Sequence, residues 1–288
     1  MNQPVGPKVD GLIRYRMDLG YDGTEFNGWA KQPNLRTVQK EVVKALSMIF
    51  GESKDDFRLR IAGRTDAGVH AVNQVAHLDL SEIQIKRIGR NQDLRGRLNS
   101  LLPRDVRIHQ IAPAARGFDA RYSAIFRRYR YRISDLRSLR DPMAARYTLW
   151  LRAELDVAQM KIAAKALIGL HDFAAFCKPR AGGTTIRRLR QIKITRNREM
   201  GNIVEIELKA DAFCHNMVRS IVGALIAVGR GKASAKDLED RLKSGSRVSS
   251  FKVVAPEGLA LIEVGYPALA KLASQAETTR SKRSMEEN

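Results

Sequence analysis

The hydrophobic and polar positions of the chain fall into short strand-like and helix-like runs. A strand is expected at Leu12–Tyr21, followed by a loop, Asp22 to Trp29. From about Thr37 to Phe50 the apolar residues Val38, Val42, Leu46 and Ile49 recur at helical spacing, with Thr37 placed to cap the first turn. Phe57, Leu59 and Ile61 then alternate with Arg58 and Arg60, and Val72 to Leu80 is again β-prone, so a strand–turn–strand unit is expected there. A helix near Asp93–Leu101 should end before Pro103, with a strand following at Val106–Ile111.

Beyond an interruption at Pro113 and Gly117 the same order returns. Arg128–Ile133 reads as a strand, Val157–Gly169 as a helix, and Leu189–Thr195 and Val204–Ala210 as strands. An apolar helix from His215 to Gly229 and a last strand at Leu259–Val264 complete it. Strands and helices mixed irregularly, with antiparallel hairpins, predict an α+β chain. The expected organisation is a lobe over residues 10–114, a second over 115–268, and a polar, aperiodic tail over 269–288 expected to be disordered.

The turn of the first hairpin is the most informative segment: Gly63-Arg64-Thr65-Asp66-Ala67-Gly68-Val69-His70-Ala71. It presents one carboxylate beside an arginine, between two glycines, on a rigid support. Turn chemistry alone also allows a plain hairpin in which Thr65 and Asp66 bond to their own backbone.

Charge shifts the balance towards a polyanionic partner. Lys and Arg number 51 against 31 Asp and Glu, a formal net charge of +20. Lys178, Arg180, Arg187, Arg188, Arg190, Lys193, Arg196 and Arg198 form a run without an acid. Residues 116–132 add six arginines against Asp119, interleaved with Tyr122, Phe126, Tyr129 and Tyr131. Arginine for phosphate and an aromatic ring for a base is a pairing that RNA-binding proteins use. The two cysteines, Cys177 and Cys214, lie far apart in the chain and in no paired motif. They argue against structural zinc or a disulfide framework, and for a reducing cytoplasm. No apolar run suggests a membrane span.

With these residues in view, the chain resembles the TruA family of tRNA pseudouridine synthases over nearly its whole length. The peptide around Asp66 matches that family's signature, and three further blocks stand in the family's order. These are Tyr21-Asp22-Gly23 with Phe26, Gly28-Trp29, Gln32 and Thr37-Val38-Gln39; Phe118 to Ala124 with Arg128-Tyr129-Arg130-Tyr131; and Phe213 to Arg219 with Val222-Gly223, Gly229 and Pro256-Glu257-Gly258-Leu259. Ala30 and Asn216 stand where many relatives carry Gln and His.

The resemblance implies conversion of uridine to pseudouridine at positions 38, 39 and 40 in the anticodon arm of tRNA, by a homodimer without cofactor. The reaction oxidises and hydrolyses nothing and so needs no metal, and the cysteine usage already points to the cytoplasm. It implies two similar lobes sharing a mixed, largely antiparallel sheet with a central catalytic cleft. By the same resemblance Asp66 is the nucleophile, Arg219 its ion-pair partner and Tyr129 the ring that stacks on uracil. Arg64 is expected to take the space of the flipped base. Arg121 is expected to organise the cleft or bind a phosphate, and Arg187, Arg188 and Arg190 to contact tRNA phosphates. From the strand pattern alone Tyr131 is as eligible as Tyr129. His70 and His77 are read as structural.

Other classes fit less well. An RNA-binding module would use the arginines and rings without Asp66 chemistry, and an N-glycosidase would release uracil. Gly229-Arg230-Gly231-Lys232 is a poor phosphate loop, with Ala233 in place of the Ser/Thr. A zinc deaminase lacks its paired cysteines.

Overall fold

The computed structural model describes residues 8–51, 57–89, 93–178, 183–245 and 251–280. Arg180 and the last eight positions of the expected tail lie outside these residues. The chain divides into two compact units, residues 1–125 with 261–281, and residues 126–260 with 282–288.

In the first unit, β1 (Lys8–Val9) and β2 (Leu12–Tyr21) precede α1 (Val38–Phe50), β3 (Arg60–Ile61), β4 (His70–Leu80), α2 (Glu82–Ile88), α3 (Leu94–Leu101) and β5 (Val106–Pro113). β2 is central. It runs antiparallel to β4 from Ile13↔Leu80 to Tyr21↔Ala71, and to β5 from Tyr15↔Pro113 to Tyr21↔Val106. Its odd positions Ile13, Tyr15, Met17, Leu19 and Tyr21 are buried, while Arg14 and Arg16 turn to the other face. α1 forms where its spacing predicts, although Ile49 of the expected apolar face is only half-buried. Thr37 accepts the Lys40 N–H, Val38, Val42, Ala45, Leu46 and Phe50 are buried, and Gly51 closes the end at φ 64°.

The strand expected from Phe57 is shorter than its alternation suggests, because Phe57 and Arg58 adopt φ 50° and 51° and only Arg60–Ile61 pairs with β4. α2 was not anticipated, although its capping box was there to be read: Ser81 and Gln84 each bond the other's backbone N–H.

The second unit contains β6 (Phe126–Ser134), β7 (Leu149–Trp150), α4 (Val157–Ala164), β8 (Gly169–Asp172), β9 (Ile186–Asn197), β10 (Ile203–Ala210), α5 (Met217–Gly229) and α6 (Ala235–Ser244). β8, β9, β10 and β6 are successive antiparallel neighbours, and β7 lies parallel to β6. Tyr131 and Ile133 of β6, Val204, Ile206 and Leu208 of β10, and Ile221, Val222, Ala224 and Leu225 of α5 are buried. α5 begins at Met217, two residues later than the hydrophobic run predicts, since Asn216 is left-handed at φ 66°. Asparagine is among the non-glycine residues that tolerate that conformation. The Gly229–Lys232 stretch is the end of this helix, where Lys232 N–H bonds Ala227 O and Gly231 takes φ 67°.

Two expectations are corrected. Cys177 and Cys214 form a disulfide with their Cα atoms 5.7 Å apart. The Lys178 N–H···O bond to His215, 2.9 Å, lays these distant segments side by side, a proximity that a separation of 37 residues conceals. Residues expected to begin a disordered tail instead form α7 (Leu272–Arg280), after β11 (Leu259–Gly265). Leu272, 2% exposed, packs in a cluster with Phe118, Ala120, Ala114, Ala62 and Val75, and Ser123 Oγ donates to Leu272 O at 3.0 Å. A few apolar residues anchor a segment whose composition is mostly polar.

Candidate active site

Asp66 sits in the turn joining β3 to β4, half-buried, between exposed Arg64 and exposed Ala67, with Thr65 buried beneath. The loop that follows β2 holds this turn. Trp29 N–H donates to Thr65 O at 3.1 Å, and Gly68 N–H donates to Phe26 O at 3.1 Å. Within the turn, Val69 N–H donates to Asp66 O at 3.1 Å. Gly28 is needed at the crossing. Its φ is +85°, and a Cβ there would lie 2.7 Å from Thr65 O and 3.2 Å from Ala67 N. Gly23 passes as closely, since a Cβ would strike the Val69 carbonyl. Sequence-distant residues 21–29 and 63–70 therefore form one structural unit.

A buried hydrogen-bond chain underlies the turn. Gln74, fully buried on β4, donates from Nε2 to Gly63 O at 2.8 Å and to Tyr21 Oη at 3.4 Å. Tyr21 Oη lies 2.7 Å from Thr65 Oγ1. Burial pushes the Tyr21 phenol up to about 12, so it keeps its proton at neutral pH. Neither Tyr21 nor Gln74 was singled out from the sequence for a role of its own.

The two histidines of this region each accept a backbone N–H bond. Gly23 N–H donates to His70 Nδ1 at 2.9 Å and Ala120 N–H donates to His77 Nδ1 at 3.0 Å. Burial first, then the neighbouring Arg14 charge, brings His77 down to about 4. Arg14 itself is held by Asp79 through two bonds of 2.7 and 2.9 Å. Arg121 is exposed, with its guanidinium 5.2 Å from the centroid of the Tyr122 ring.

In the second unit both tyrosines that the strand pattern left equal are buried, Tyr129 at 8% exposed. Tyr131 is fully buried and donates its hydroxyl to Ala255 O at 2.7 Å. Tyr129 meets Phe213 edge-on, centroids 5.2 Å apart at 89°, which joins two of the blocks that carry the family resemblance. Arg219 is half-buried near the start of α5, and its Nε donates to Val254 O at 2.7 Å.

The arginine runs divide by partner. Directly across the β6–β10 register, Arg130 faces Glu207 and Arg132 faces Glu205. Arg130 Nε donates to Glu207 at 2.9 Å, and Arg132 Nε donates to Glu205 at 3.0 Å. Arg196 clamps Asp135 with bonds of 2.9 and 2.7 Å, which hold that carboxyl below the usual range against the opposing effect of burial. Arg127 is buried and donates to Asp211 O at 2.8 Å. Arg187 folds back onto Ile186 O and Thr184 O at 2.6 and 2.7 Å. Arg188 and Arg190 are the exposed members of their cluster on β9. Among the described residues no group of three His, Cys, Asp or Glu could hold a metal ion, and no helix is long and apolar enough to cross a membrane.

The family model described as tRNA pseudouridine synthase matches residues 163–267. A tRNA pseudouridine synthase A from Leifsonia xyli subsp. xyli is 45% identical over 289 residues, covering 96% of this chain and 100% of that protein. The chain belongs to the tRNA pseudouridine synthase A family. It is an enzyme of that family. A second member, from Streptomyces avermitilis, is 46% identical and covers 99% of this chain and 98% of its own. Among solved structures, one titled as an H/ACA RNP bound to a substrate RNA containing 2'-deoxyuridine aligns at 11% identity and a TM-score of 0.34, over 74% of this chain and 44% of that one. That likeness is too slight to speak to fold or ligand.

Proposed function

We propose that this chain isomerises uridine to pseudouridine at positions 38, 39 and 40 in the anticodon arm of tRNA, with Asp66 as the nucleophile. The observation that carries this reading is the Asp66 turn itself, whose residues Gly68 and Thr65 are bonded to Phe26 and Trp29 and whose Gly63 carbonyl accepts from Gln74.

The reaction breaks the bond from uracil N1 to ribose C1′ and forms one from C5 to C1′. The proton lost from C5 is balanced by the one gained at N1. Nothing is oxidised and no water is consumed, so a single carboxylate suffices where hydrolysis of a glycoside needs two. Asp66 takes that role by attacking ribose C1′ as the N1 bond breaks, its bond to C1′ being released when C5 takes that carbon. Addition to the base followed by its reversal, or removal and return of a sugar proton, would balance equally. Arg64, exposed beside it, fills the space vacated by the flipped nucleotide. Tyr129 stacks on uracil while the base rotates, and Arg219 neutralises Asp66 once bound RNA excludes water. Arg121 orders the RNA near the site, and Arg188 and Arg190, with Arg187 behind them, meet tRNA phosphates. The family resemblance extends this reading to a homodimer acting in the cytoplasm without a cofactor.

The test is release of label from a tRNA transcript carrying tritium at uridine C5. Wild type is expected to release tritium and form pseudouridine, and Asp66→Asn to do neither while still binding the transcript. Turnover by Asp66→Asn would reject the nucleophile, and free uracil among the products would make the enzyme a hydrolase.

A further inference from the structure

The hydrogen-bond chain beneath the catalytic turn has a fixed direction. Gln74 Nε2 has two hydrogens and two acceptors, Gly63 O and Tyr21 Oη, while Gln74 Oε1 accepts the Val75 N–H at 3.2 Å. Turning the amide over would set Oε1 against the Gly63 carbonyl, oxygen against oxygen. With its oxygen accepting from Gln74, the buried Tyr21 hydroxyl places its own proton on Thr65 Oγ1, 2.7 Å away. Both contacts end within three residues of Asp66, one on the carbonyl of Gly63 and one on the side chain of Thr65. They lie inside the first unit, the Tyr21–Thr65 contact buried and the Gln74–Gly63 contact part-buried, where such bonds are costly to leave unmade.

We propose that Tyr21 and Gln74 are positioning residues for Asp66, the chain from Gln74 through Tyr21 to Thr65 holding the turn at the angle the reaction requires. This rests on the assignment of Asp66 as nucleophile given above. The backbone clamps from Phe26 and Trp29 fix where the turn lies. The side-chain chain fixes its tilt about that anchor, because it grips the turn on the side facing β4. Tyr21, with its phenol near 12, does not exchange a proton at neutral pH, so its part is geometric.

The experiment measures single-turnover isomerisation and tRNA affinity for Tyr21→Phe, Thr65→Val, Thr65→Ser, Gln74→Glu and Asp66→Asn. Tyr21→Phe and Thr65→Val keep shape and lose one hydroxyl. Each should slow the catalysed step about tenfold or more, the size of loss small misplacements cause, with affinity essentially unchanged. Thr65→Ser keeps the hydroxyl and loses the methyl, and should stay near wild type; a packing role would reverse that order. The Tyr21→Phe/Thr65→Val double variant should be no slower than the slower single variant, because both break one chain. Gln74→Glu replaces the two donated bonds with oxygens facing oxygens and should be the slowest of the positioning variants. Wild-type rates for Tyr21→Phe and Thr65→Val, with Asp66→Asn inactive, would overturn the positioning role and leave the proposed function intact. An active Asp66→Asn would remove the nucleophile itself. Should Tyr21→Phe fail to fold, the Thr65→Val and Thr65→Ser pair decides alone.

Discussion

The Asp66 turn and the β6–β10 face spend their polar groups in opposite ways. The turn is fastened by neutral bonds from a loop some forty residues earlier, with Arg64 exposed and Asp66 half-buried. On β6 the arginines expected to meet RNA are matched to Glu205 and Glu207 across the strand. A group that must be presented at a fixed place gains from a rigid support made of neutral bonds. A sheet face gains from cross-strand pairing, which neutralises a row of like charges. A net charge of +20 thus overstates how many cations remain for a polyanion.

That contrast can be broken first at its backbone clamp. Gly28→Ala must place a Cβ 2.7 Å from Thr65 O at φ +85°, so a loss of more than about 2 kcal/mol and most of the activity is expected. Gly63, where a Cβ meets nothing within 4 Å, should accept alanine with a stability change within about 0.5 kcal/mol. Thermal or denaturant unfolding of the two variants checks both; equal losses would mean the clamp is not where the turn is held.

The support around Phe118 should be sensitive to acid. His77 falls to about 4 in the folded chain, so the unfolded chain binds the proton first as pH drops. Its contribution is complete above the unfolded value near 6.5 and declines as pH falls to about 4, by roughly 3 kcal/mol in all. His77→Gln should flatten the stability profile across that window, read by denaturant midpoints at several pH values. An unchanged slope would mean that His77 titrates normally.

On the second unit, Tyr129→Ala should cost about 1–3 kcal/mol of base stacking, while Tyr129→Phe, which keeps the ring against Phe213, should bind nearly as wild type. Equal losses in the two variants would remove stacking as its role. The smallest effect sharpens the comparison most. Arg188→Ala with Arg190→Ala should lower the slope of log affinity against log salt by roughly 0.7 to 0.9 per lost phosphate contact. Arg130→Ala with Arg132→Ala should leave that slope nearly unchanged. If the β6 pair moved it as far as the β9 pair, the cross-strand ion pairs would not exclude those arginines from RNA.

What was legible in the sequence was local. α1 followed from its spacing and Thr37, and the Asp66 hairpin from two apolar runs around a glycine-bounded turn. The capping signals of Ser81 with Gln84 and Ser234 with Asp237 were equally local and would have located α2 and α6. What was hidden depends on register and distance. The pairing of Arg130 with Glu207 needs the β6–β10 alignment, Cys177 meets Cys214 where Lys178 bonds His215, and Leu272 of α7 packs in the Phe118 cluster. Phe57 and Arg58 show the limit of alternation, since their strand-like pattern yields to left-handed backbone. For the site, the motif pointed to Asp66, but nothing in its spacing marked Tyr21 or Gln74 as the residues beneath it.

The central claim is that Asp66 drives uridine isomerisation in the anticodon arm. The most direct test is mapping of pseudouridine, position by position, in a tRNA transcript with uridines at 38, 39 and 40, treated with purified wild type or Asp66→Asn. The account predicts pseudouridine at those positions with wild type and none with Asp66→Asn. Modification by the Asn variant, or modification confined to other positions, would contradict it.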